Sequence, residues 1–211
     1  MKTLSQYMDE SLLGDEDDLI EDKTVLIEQF LKDNYNIDGS YTIKNGIVDA
    51  PDSAIKLKNL KLKHLTNDLF EFGSVREFIC SRSAIITLKG APKTVDYFSC
   101  RLCSNLKSLE GAPEKVSDIF NCRLCERLKT LEGAPEFVDG DFNCSGCSSL
   151  ISLKGAPKKV AVSFACMDCN SLKNLDYLPE IKGYLYCDKR HLTTDKNIIK
   201  KRVKSNIRTN S

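Results

Sequence analysis

Ten cysteines are the residues of this 211-residue chain whose type and spacing could do chemistry. Cys100/Cys103 and Cys122/Cys125 are Cys-x-x-Cys pairs with 18 residues between them, and Cys144/Cys147 and Cys166/Cys169 continue the series. That spacing formally matches structural zinc, where thiolate pairs close a tetrahedral site. Cys80 and Cys187, however, have no such neighbour, and Ser83 stands where the first pair would have its second thiol. A metal site does not lose ligands in this graded way. The preferred reading is core packing, because a free Cys behaves as a small hydrophobe with a weak S–H donor. Disulfides rank last, since the acidic N-terminus has no apolar run resembling a secretory signal.

Catalysis has less to work with. His64 and His191 are the only histidines and lie near opposite ends of the repeated region, so a Cys–His nucleophile pair is not expected in its middle. The chain shows no phosphate-binding glycine loop and no clustered His/carboxylate metal motif. It reads as non-enzymatic, with no cofactor.

The elements that must position these thiols come from an internal repeat. Gly-Ala-Pro occurs at Gly90, Gly111, Gly133 and Gly155, at steps of 21, 22 and 22 residues. The clearest copy runs Val116, Phe120, Cys122, Cys125, Leu128, Leu131, Gly133-Ala134-Pro135. Copies beginning at Val95, Val138 and Val160 share the frame, and the Val160 copy ends in Tyr177-Leu178-Pro179 instead. Degraded coils flank them. Ile55, Leu57, Leu60, Leu62 and Leu65 suggest the first, Val75 to Leu88 the second, and Ile181, Leu185, Cys187 and Leu192 the last. Phe-x-Cys alternates with period two, so both side chains point to one face of a short strand. Gly-Ala-Pro supplies a tight bend on the return side. Stacked coils would then give a parallel sheet over a continuous core, with atypical terminal units.

Between the buried positions, residues project from the sheet. Tyr97, Ile119, Asn121, Arg101 and Arg123 are expected to fall together, with Leu102 and Leu124 beside them. Aromatic, Arg and aliphatic groups on one exposed face have the composition of a protein-binding surface. On the return side, Lys89, Glu110, Glu132 and Lys154 form a charged row, echoed by Lys93, Glu114, Glu136 and Lys158; these read as solvated charges with weak cross-coil pairing.

The ends differ from the middle. The net charge of +1 conceals −7 over residues 1–33 and +6 over residues 188–211. Leu4, Met8 and Leu12 line one side of a first helical stretch, which the acidic run Asp15 to Asp18 breaks. A second amphipathic segment, Thr24 to Asn34, offers Leu26, Phe30 and Leu31 to the first coil. Asn45-Gly46 predicts a hairpin turn. Lys196 to Ile207 predicts a basic capping helix with Ile198, Ile199 and Val203 turned inward. The domain plan is thus an acidic helical segment over 1–36, a solenoid of about seven coils over 37–192, and a basic helix and tail over 193–211. The tail lacks aromatic interleaving, so nothing beyond weak nonspecific nucleic-acid binding is expected. No apolar run approaches the roughly 18–20 residues of a membrane helix.

The frame resembles the leucine-rich repeat, with Cys103, Cys125, Cys147 and Cys169 at its Asn/Cys position. That resemblance implies an α/β solenoid, a right-handed coil with short parallel strands on a concave face, helical caps, and a monomer that binds a protein partner. Leu-x-Gly-Ala-Pro joined to Phe-x-Cys, behind an acidic start, is similar to leucine-rich-repeat proteins encoded by large tailed bacteriophages. This implies action in the host bacterial cytoplasm. Met1 to Tyr7 followed by Glu10 is similar to head-targeting peptides of phage internal proteins, which implies, as an alternative, a virion protein.

Overall fold

The computed structural model describes residues 16–66 and 69–209, with side chains from Lys23 onward. It is a β-solenoid of about seven turns. A helix, α1 (Glu16–Asn34), runs directly into β1 (Tyr35–Asp38) and β2 (Thr42–Lys44). Both strands lie antiparallel along the long β3 (Ile47–Leu57). From there every coil adds a parallel strand: β4 (Glu71–Ile79), β5 (Thr94–Ser99) and β6 (Lys115–Asn121).

In the next three coils the strand splits at a bend. The pairs are β7 (Phe137–Val138) with β8 (Asp141–Asn143), β9 (Lys159–Val160) with β10 (Ser163–Ala165), and β11 (Glu180–Ile181) with β12 (Tyr184–Tyr186). Gly140 occupies the first bend, where a Cβ would press into the Asp118 carbonyl of the coil below. Two short helices, α2 (His191–Thr194) and α3 (Lys196–Arg202), then lead to β13 (Asn206–Arg208), which pairs in parallel with β12.

Strand register places like residues over like. Phe98 pairs with Phe120, Phe120 with Phe142, and Phe142 with Phe164. Their rings stack with centroids 5.1–5.4 Å apart and planes within 16° of parallel. Phe78 extends the column at 5.9 Å. Each such ring contact adds about 0.5–1.5 kcal/mol to the burial of the side chain itself. Val116, Val138, Val160 and Ile181 form a second buried column, and the leucines of the repeat a third.

The return bend closes by the alanine N–H donating to the leucine carbonyl three residues earlier, as from Ala134 to Leu131 at 3.0 Å. Gly133 adopts φ +90°, and a Cβ there would overlap Glu110 N and Leu109 C of the preceding coil. Tyr177 replaces this glycine in the sixth coil, takes φ 67°, and is 60% exposed.

All ten thiols are buried and unbridged. The second Cys of each pair donates to the carbonyl of the strand Cys one coil earlier. Cys103 reaches Cys80 O at 3.2 Å, Cys125 reaches Cys100 O at 3.2 Å, and Cys147 and Cys169 repeat the bond at 3.3 Å. Ser83 takes up the same kind of acceptor within its own coil, its Oγ lying 2.6 Å from Cys80 O. The cysteines are therefore core residues, and the second thiol of each pair has a backbone acceptor. Among the described residues, no three His, Cys, Asp or Glu side chains converge as a ligand set.

Several end features depart from expectation. The sheet terminates in strands, β1 at one side and β13 at the other, rather than in helices. Helix α1 already includes Glu16, inside the acidic run and eight residues before the expected start. Ile27 and Leu31 enter the core, while Leu26 is only half-buried. The stretch with Leu4, Met8 and Leu12 lies outside the described residues. Leu60 is 47% exposed, so the first coil closes on Ile55, Leu57 and Leu65. The basic helix stops at Arg202, because Val203 forms a bridge with Ile181 and the chain turns into β13. Leu192 is exposed, and the buried neighbour is His191. The hairpin is present: Asn45 and Gly46 have φ 52° and 73° and join β2 to β3.

Candidate binding face

Each coil crosses the outer sheet surface with the same alternation. Inward Val95, Phe98 and Cys100 leave Tyr97, Ser99 and Arg101 facing outward, and the next coil presents Ile119, Asn121 and Arg123. Tyr97 stands directly opposite Ile119, and Ser99 opposite Asn121. Tyr97 and Ile119 are half-buried. Ser99 is only 3% exposed and accepts from or donates to Ser81 at 2.8 Å. It is floor rather than surface.

Beyond the strands the backbone ladder continues to the corner. Arg82 N–H donates to Arg101 O at 2.8 Å, and Leu102 N–H to Arg123 O at 2.9 Å. The corner requires one left-handed residue per coil. Arg82, Leu102, Leu124 and Asp168 supply it with φ 57–61°, and Gly146 does so without a side chain. A left-handed non-glycine residue costs roughly 1–2 kcal/mol. Leu102 and Leu124 are nevertheless half-exposed, so their strain is not repaid by full burial. Leu124 instead lies over Gly146, where a Cβ would collide with its Cδ2.

The polar members are held unevenly. Asn121 Oδ1 accepts from Arg123 N–H at 3.1 Å, fixing the turn. Arg123 is exposed, and Arg101 is half-buried with its Nε shielded and no acceptor. A buried donor left unmet costs about 1–3 kcal/mol. Among the described residues no carboxylate forms an ion pair with Arg82, Arg101 or Arg123, whereas Arg76 pairs with Glu77. The structure thus brings Tyr97 and Ile119 into register, and stacks Arg101 over Arg123 and Leu102 over Leu124 at equivalent corners. Arg82 joins the same corner line. A sequence signal existed for it, since it occupies the Leu102 position in the preceding coil.

On the return side the charged rows pair across coils. Lys154 meets Glu132 at 2.8 Å and Lys93 meets Glu71 at 3.0 Å, while Lys158 pairs with Glu136. These exposed pairs are weak contributors.

One buried polar cluster lies apart from the face. His191 Nδ1 and Asp195 Oδ2 are 2.7 Å apart, and Asp195 Oδ1 accepts from Leu175 N–H at 3.0 Å. Burial pushes the Asp195 carboxyl up, but the Leu175 N–H, the Thr194 hydroxyl and His191 outweigh it and hold it below its ordinary value. No helix among the described residues is long and apolar enough to cross a membrane. None of the known protein families, curated proteins or solved structures compared with this chain matches it.

Proposed function

We propose that the chain is a non-enzymatic binding module of the leucine-rich-repeat type, phage-encoded, that captures a host or phage protein through the outer face of β5 and β6 and the adjoining corner. The observation that carries this reading is the corner line of Arg82, Arg101 and Arg123, which no carboxylate among the described residues pairs, beside the half-exposed Leu102 and Leu124. Tyr97 and Ile119 add an aromatic–aliphatic pair of the kind enriched in interface centres.

The experiment compares capture from infected-host lysate by the wild type and by Arg101→Glu/Arg123→Glu, with circular dichroism verifying the fold. The wild type retains a specific protein that the variant loses; equal capture by both refutes the assignment. The alternative, a virion protein addressed by its first residues, rests on a segment outside the described region. Absence of the chain from purified particles would sink it.

A further inference from the structure

We infer that the segment bound on this face is an amphipathic α-helix lying along the solenoid axis, acidic along one flank and basic along the other. The inference rests on the protein-binding reading above and specifies the partner's chemistry.

The pitch argues for a helix. Equivalent side chains recur once per coil, at the spacing of about 4.8 Å between hydrogen-bonded parallel strands. An α-helix repeats every ~5.4 Å, so residues at i, i+3 or i+4, and i+7 stay within about 1.2 Å of three coils in succession. An extended chain presents same-side residues every ~6.8 Å and falls out of step after two coils.

The width agrees. Tyr97 and Arg101 are four residues apart on an extended path, about 13 Å, and a helix with its side chains is about 10–12 Å across. Between these two borders the floor is small and polar, formed by Ser99 and Asn121.

Charge fixes the orientation. The corner border carries Arg82, Arg101 and Arg123, none paired with a carboxylate among the described residues. The opposite border carries Asp96 and Asp118 around an open groove beside Tyr97, in which Glu77 is already paired with Arg76. A bound helix therefore turns carboxylates to the arginines, and lysine or arginine to the acids. Its apolar stripe meets Tyr97 and Ile119 between them.

The test is selection of a fully randomised display library of peptides about 16 residues long, some 24 Å if helical, on the immobilised full chain. Each selected peptide is then measured against Tyr97→Ala/Arg101→Glu/Arg123→Glu, with circular dichroism and thermal midpoint verifying that the variant is folded. The expected binders lose at least about tenfold in affinity on the variant. They carry acids at i, i+3 or i+4, and i+7 on one flank with bases opposite, gain helical signal when bound, and lose affinity when a central residue becomes proline. Variant-sensitive binders that tolerate proline or lack this charge arrangement overturn the helix while leaving the binding face standing. Binders indifferent to the variant, or none at all, overturn both. Tighter, variant-sensitive binding of a homopolymer RNA than of any peptide overturns the inference in favour of a nucleic-acid partner.

Discussion

The Cys125 thiol donates to the carbonyl oxygen of Cys100, one coil earlier, at 3.2 Å. The bond recurs at every complete Cys-x-x-Cys pair, so the thiols tie each coil to the one before it as well as filling the core. Burial raises the Cys122 thiol well above its ordinary value, and the adjacent Cys147 thiol adds to the shift, whereas the neighbouring Cys80 thiol and Ser83 hydroxyl hold the Cys103 thiol down at about 7 against its own burial. Cys125→Ala should leave that carbonyl unmet and destabilise by about 1–3 kcal/mol. Cys125→Ser should cost less, because a hydroxyl at this position can reach its own coil's carbonyl as Ser83 does. Urea denaturation of the two variants decides the point: a serine as damaging as alanine removes the hydrogen-bonding role.

Gly133→Ala meets two obstacles together. Its φ of +90° disfavours any side chain, and the new methyl would press on the backbone of Glu110. A loss of about 2–4 kcal/mol is expected from left-handed strain plus overpacking. Thermal unfolding measures it. A change below ~0.5 kcal/mol would show that the return bend can relax.

Leu124→Gly should separate stability from function. The left-handed corner favours glycine, as Gly146 illustrates one coil later, so stability should hold or rise by up to about 1 kcal/mol. Binding of a face ligand should fall. Parallel measurement of thermal midpoint and peptide affinity tests both. Retained affinity would remove Leu124 from the interface.

Acid should loosen the C-terminal end first. Asp195 has a depressed folded pKa, so its stabilising contribution is present above the unfolded value near 3.9 and is lost as pH falls through the lower folded value. The bond to Leu175 N–H then weakens, and with it the link between α2, α3 and the sixth coil. Protection of the 188–209 segment from hydrogen exchange, corrected for the intrinsic chemical rate, should fall as the pH drops below about 4. Asp195→Asn should be weaker throughout and flatter with pH. A wild type whose terminal exchange follows only the intrinsic chemical rate over that range would exclude this role.

Much of the solenoid was legible before any coordinates. The 22-residue frame assigns Phe120, Cys122, Cys125, Leu128 and Leu131 to the interior, and each is fully buried. A periodic pattern determines this because every inner coil meets two neighbours of its own kind, so local alternation and global packing agree. The Tyr97–Ile119 register follows from the same repetition. The end units escaped it. Leu192 matches the frame by type, yet His191 is buried in its stead, since its ring finds Asp195 and only folding brings that pair against Leu175. The basic segment 203–208 carries helical periodicity, yet it completes the sheet, because β12 would otherwise expose its row of backbone donors and acceptors. The strain at Leu102 and Leu124 was equally invisible, since a leucine's identity does not reveal its φ. The sequence by itself determined what repeats: the rungs, the return bends and the buried columns. Only the tertiary structure decided what happens where repetition stops and at the corners, because there each residue answers to a partner distant in the chain rather than to a copy of itself.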